Sequence, residues 1–92
     1  LPDKIELNTY PNPFNPKMKI DFYLPYKTEA NLSLYDMRGR LIESLTNMEY
    51  EKGNHSLNWH PKTKSLYLPS GIYILELTTK NSKVGKKVLY LK

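Results

Sequence analysis

The sequence contains no cysteine, which excludes a disulfide framework and the usual thiolate zinc sites but does not fix a compartment, since many exported bacterial domains also lack it. It has no long apolar run, so no membrane insertion is expected. Arginine is confined to Arg38 and Arg40, and the remaining basic residues are lysines scattered along the chain. Reading of base edges leans on Arg, Asn and Gln projected from one element. No such element is evident, so nucleic acid is not an expected partner and the net charge of +5 reads as a solvated basic surface. His55 and His60 are the only histidines, and no paired carboxylates accompany them in a metal-binding pattern, so no metal or cofactor is expected. Neither a nucleophile elbow nor a phosphate-cradling glycine loop is present, and the chain reads as non-enzymatic.

What is there is a 92-residue chain, 39% hydrophobic, with eight tyrosines and seven prolines. That composition suits one small β-rich domain over residues 1–92 and leaves too little chain for a separate catalytic lobe. The sequence starts at Leu1 and carries no basic stretch followed by an apolar one. Any export signal is therefore expected to lie outside it, and the chain is read as a fragment of a larger secreted protein.

"YPNPFNP", Tyr10 to Pro16, is the stiffest segment. Each proline fixes its φ and removes a donor, and the residue before it is pushed towards extended backbone. Pro11, Asn12, Pro13, Phe14, Asn15 and Pro16 are expected to form a rigid lead-in to the first long strand. Phe14 would close one end of the core, and Asn12 and Asn15 would bond to neighbouring backbone. The same rigidity could mark where a linker ends and the domain begins.

"KMKIDFYL" alternates strictly, with Met18, Ile20, Phe22 and Leu24 on one face, and is the clearest strand. "YKTEA" reads as a polar turn and "NLSLYD" as a second strand. "DMRG", Asp36 to Gly39, has the chemistry of a tight hairpin connection: Asp accepts from the backbone that follows, and Gly takes a positive φ. "RLIESLT" is read as a third strand, although Leu34, Met37, Leu41, Leu45 and Met48 also recur at helical spacing. After a turn at Lys52 and Gly53, His55, Leu57 and Trp59 alternate with polar residues, and Trp59 is expected to anchor the core. "GIYILELTT" is apolar on both faces and is read as a central, most buried strand. "VGKKVLYLK" reads as a terminal strand. About seven short strands with regular turn signals predict an all-β, immunoglobulin-like antiparallel β-sandwich.

"YPNPFNP", "YDMRG", Trp59, "SGIYILEL" and "KKVLYLK" stand here in one order, and in that order the chain resembles the type A C-terminal sorting domain of the type IX, or Por, secretion system. The resemblance runs from about Leu7 to Lys92 and extends to related hook-capping immunoglobulin-like domains. It implies a non-catalytic sorting signal for a cargo attached N-terminally. The implied partners are the outer-membrane secretion machinery and its sortase-like cleavage enzyme. The implied route is the periplasm in transit, then the cell surface or medium of a member of the Bacteroidota. The residues it singles out for recognition are Gly71, Ile72 and Tyr73, with Lys86, Lys87, Val88, Leu89 and Lys92. One departure is that "HPKTKSLYLP" lacks the glycine turns common in the family between the Trp and the "SG.Y" strand.

Each recognition motif also has a purely structural reading. In "SGIYILEL", Gly71 allows a bend or a close backbone approach while Tyr73, Leu75 and Leu77 pack in the core. In "KKVLYLK", lysines on a terminal strand discourage edge-to-edge pairing, or else the strand docks on a receptor by strand addition. Two other functions fit a sandwich of this size. A carbohydrate- or protein-binding accessory module would use Tyr23, Tyr35 and Tyr67 as an aromatic row, and a structural spacer would need only the fold.

Overall fold

A computed structural model describes residues 4–13, 17–60 and 68–91. Among them are seven strands: β1 (Glu6–Tyr10), β2 (Met18–Leu24), β3 (Thr28–Asp36), β4 (Leu41–Tyr50), β5 (Gly53–Trp59), β6 (Gly71–Thr79) and β7 (Lys83–Tyr90). They form two antiparallel sheets, ordered β1-β2-β5 and β4-β3-β6-β7. In an antibody constant domain the fourth strand joins the fifth, setting four strands against three. Here β4 pairs with β3 instead, so the sheet of the first, second and fifth strands has three strands and the sheet of the third, sixth and seventh has four.

Alternation explains the packing. On β2, Met18, Ile20, Phe22 and Leu24 are buried and the residues between them point outward. Leu7 from β1 and Trp59 from β5 extend that layer, and Ala30, Leu32, Leu34, Tyr73, Leu75, Leu77, Val88 and Tyr90 face it from the other sheet. Each fully buried aliphatic side chain contributes about 1.5–3 kcal/mol, so this interlayer carries most of the favourable free energy of folding.

β4 resolves the competing periodicities. Its register with β3 slips twice, between Leu32 and Ser33 and between Leu34 and Tyr35. The slips leave Leu45 and Ile42 as the extra residues on β4, and both turn to the core. Two bulges three residues apart imitate a helical repeat within a strand. Met37, Leu41 and Met48, which seemed to continue that repeat, are more than half exposed.

Three sequence expectations need correction. β1 was not anticipated as a strand, yet "ELNTY" pairs with β2 along its whole length and buries Leu7. β3 begins at Thr28 and not at Asn31, because Thr28 and Ala30 are buried where a polar turn was read. β6 is interior to its sheet but not the most buried strand. It has four buried positions to the five of β3, and Ile72 is 47% exposed. A two-layer sandwich covers one face of a central strand and leaves the other open.

The two sides of the sandwich close differently. Where β4 and β5 form the edges, Tyr50 reaches across the layers to Phe22 and His55, with ring centroids 5.2 and 4.9 Å away. A His55 ring nitrogen also lies 2.7 Å from the Glu51 carbonyl oxygen, so this histidine is held within the fold. Where β1 and β7 form the edges, Asn12, just after β1, bonds to β7.

Candidate functional site

The β6–β7 hairpin gathers almost all of the residues singled out for recognition. Its register sets Gly71 opposite Tyr90, Ile72 opposite Leu89, Tyr73 opposite Val88, Ile74 opposite Lys87 and Leu75 opposite Lys86. Strand alternation then divides them. Tyr73 and Val88 point inward and are 5% and 1% exposed, whereas Ile72, Lys87 and Leu89 share the outer face. Lys86 follows the inward-facing series but lies at the edge strand, where it is exposed. Lys92, Phe14, Asn15, Pro16, Tyr67 and most of "HPKTKSLYLP" lie outside the described residues.

Gly71 is not a point of close approach. No atom lies within 4 Å of where its Cβ would be, and its φ of +157° is what requires glycine at the start of β6. Just before it, the Tyr73 hydroxyl donates to the Pro69 carbonyl at 2.5 Å. Burial, and after it the Asp36 carboxylate and Tyr90, raise the Tyr73 phenol above its ordinary pKa and keep it a donor.

"DMRG" forms the adjoining corner. Asp36 Oδ1 accepts from the backbone N–H groups of Arg38 and Arg40, each at 2.9 Å, and Oδ2 accepts from Arg40 Nε at 2.9 Å. Gly39 takes a φ of +86°, and its N–H donates to the Asp36 carbonyl. The Arg40 N–H above all, then the Arg40 guanidinium and the Arg38 N–H, lower the Asp36 pKa against a partial opposing effect of burial. Asp21, on the outer face of β2, is lowered as well, first by the Ser56 hydroxyl and then by the Tyr10 hydroxyl, which donates at 2.6 Å. Groups whose pKa is lower in the folded state stabilise it above the unfolded carboxyl pKa, about 3.9 for Asp, and lose that contribution as pH falls through the folded value. Thermal melts between about pH 7 and pH 2 are therefore expected to show stability falling on the acid side. Asp36→Asn is expected to flatten that fall, and an unchanged pH profile would contradict this role for Asp36.

Asn12 sits between Tyr10–Pro11 and Asn12–Pro13 peptide bonds that are both cis. Its partners are not the neighbouring backbone but β7: Nδ2 donates to the Lys87 carbonyl at 3.3 Å, and Oδ1 accepts the Leu89 N–H at 2.9 Å. These two groups face away from β6, on the open edge of the sheet. The Asn12 carboxamide thus takes the place of one rung of a further strand. A strand adding at this edge would have to displace it.

The two outer faces of the sandwich differ in chemistry. On the three-stranded sheet the outward rows are Glu6–Tyr23–Asn54, Asn8–Asp21–Ser56 and Tyr10–Lys19–Asn58, all polar or tyrosine. On the four-stranded sheet one end carries Leu41–Tyr35–Ile74–Lys87 and Ile72–Leu89. The sequence singles out Tyr35 only for an aromatic row and Leu41 only for a helical repeat, and it does not single out Ile74. The signal was present in the apolar residues on both faces of "GIYILEL", which were read as a sign of burial on both faces. Tyr23 and Tyr35 lie on opposite outer faces, so the aromatic row required by glycan binding cannot include both. Among the described residues, no cluster of three His, Asp or Glu side chains could hold a metal ion.

Comparison with known proteins places this geometry. Residues 8–90 match the family described as the secretion system C-terminal sorting domain. No curated protein matches the sequence. Among solved structures, dimeric latent PorU from Porphyromonas gingivalis matches with a TM-score of 0.76 and 18% identity. The match covers 99% of this chain but only 10% of that one, and at this identity it speaks for the fold. The match over residues 8–90 includes the β6–β7 hairpin, the Asp36 corner and the Asn12 clasp, and the chain belongs to the C-terminal sorting domain family of type IX secretion.

Proposed function

We propose that this domain is a non-catalytic C-terminal address, which carries an N-terminally attached cargo through the periplasm and across the outer membrane by type IX secretion. The observation that carries the reading is the family match over residues 8–90. The fold supports it in physical terms. A sandwich with rigid corners offers a preformed surface, and binding such a surface does not incur the ordering cost of a disordered tag. The outer-membrane machinery is the partner that reads the folded surface, and a sortase-like enzyme removes the domain as the cargo reaches the surface or the medium.

Deleting residues 1–92 from the parent protein tests this directly. Cargo is expected to accumulate in the periplasm, and undiminished appearance outside the cell would overturn the proposal. Removing only residues 88–92 is a poorer test, because Val88 and Tyr90 belong to the core and their loss damages the fold as well as the signal.

A further inference from the structure

We infer that the outer face of β3, β6 and β7, at the end next to the Asp36 corner, is the docking surface for a protein partner that presents apolar side chains flanked by carboxylates. The inference rests on the sorting role proposed above and specifies where the machinery grips. Three observations converge on it. First, Met37, Leu41, Ile72 and Leu91 are 59%, 58%, 47% and 44% exposed, and all four come from this end of the same sheet. The opposite outer face, built by the same alternation, carries only polar residues and the tyrosines Tyr10 and Tyr23. Second, a groove of about 360 Å³ lies here, lined by Tyr35, Asp36, Met37, Gly39, Ile74 and Glu76. Gly85 contributes no side chain beside Ile74, whose Cγ2 would lie 3.6 Å from a Cβ at that position. The surface therefore stays shallow enough to receive a side chain from outside. Third, among the described residues Lys87 on this face and Arg38 in the adjoining turn form no ion pair, while Arg40 is held by Asp36. Unpaired cations beside an apolar surface complement a protein partner carrying both apolar groups and acids.

Other occupants fit less well. A second copy in a two-fold arrangement would bring the lysines of one β7 towards those of the other. An anionic lipid surface would spread its charge over the whole face, the Asp36 and Glu76 carboxylates included, whereas a protein partner can set its carboxylates against Lys87 and Arg38 and its apolar side chains in the groove. Addition of a strand to β7 is obstructed by Asn12.

A photo-crosslinking amino acid at Ile72 or Met37, compared with the same residue at Asn54 or Ser56 on the opposite face, tests the surface in cells that export a fusion carrying the whole chain. Adducts with an outer-membrane protein of the secretion machinery are expected from positions 72 and 37 and not from 54 and 56. In parallel, the double variant Ile72→Ser/Lys87→Glu is expected to lower export about tenfold or more while its melting temperature stays near that of the parent fusion. Export at the parent level would overturn the inference. So would adducts only with lipopolysaccharide or with a second copy, or adducts equally distributed over both faces. Should the double variant melt early, Met37→Ser, in an exposed turn, replaces it with the same expectation. If the parent fusion itself stays in the periplasm, the sorting role fails; if it is exported while the variants and crosslinks show no preference, only the docking face fails.

Discussion

Replacing Leu75 with alanine is expected to lower the melting temperature by about 10–30 °C, through a loss of about 2–5 kcal/mol. Leu75 is fully buried on β6, between Leu34 on β3 and Lys86 on the edge strand, and its side chain faces the opposing sheet. Truncation leaves a cavity that the two rigid layers can fill only in part. A small domain has about 5–15 kcal/mol of stability in total, so the variant spends much more time unfolded and its export falls at elevated temperature. Ile72, three residues away on the same strand but on the outer face, provides the contrast: Ile72→Ala is expected to cost less than about 1 kcal/mol. Circular dichroism melts of the two variants measure the difference. Equal melting temperatures would mean that the alternation assigned to β6 is wrong.

The second large effect concerns the edge. Asn12→Ala removes both hydrogen bonds to β7, each worth about 0.5–1.5 kcal/mol, and exposes the Lys87 carbonyl and the Leu89 N–H as an open rung. An uncovered edge is a template for another strand. The variant is therefore expected to melt earlier and to self-associate at concentrations where the parent does not, as read by sedimentation velocity. Asn12→Asp separates the two bonds, because it keeps the acceptor for the Leu89 N–H but sets a carboxylate oxygen against the Lys87 carbonyl. It is expected to fall between the parent and Asn12→Ala in stability. Parent-like melting and sedimentation of Asn12→Ala would show that the carboxamide does not guard the edge.

These expectations also mark what the sequence could convey. β2 was legible because each of its alternate positions carries a large apolar side chain, and the Asp36 corner because Asp and Gly have few other reasons to stand three residues apart in a turn. β1 was not, since its five residues bury only Leu7 fully and are followed by prolines that suggest a lead-in. The start of β3 was hidden because its buried side chains, Thr28 and Ala30, are small or polar. The bonds of Asn12 span 75 and 77 residues and depend on β1 and β7 meeting at one side of the sandwich, so no local pattern contains them. The outer apolar face was visible as residues but misread as burial. Periodicity reports that both faces of β6 are apolar, and only the number of layers says which face is covered.

The most direct measurement is a gain of export. Residues 1–92 are fused to the C-terminus of a fluorescent reporter carrying an ordinary signal peptide, and the fusion is expressed in a bacterium with a type IX system and in a strain lacking its outer-membrane channel. Surface or extracellular reporter in the first strain and periplasmic reporter in the second is the expected result. Periplasmic retention in both, with the domain shown to be folded, would contradict the sorting role.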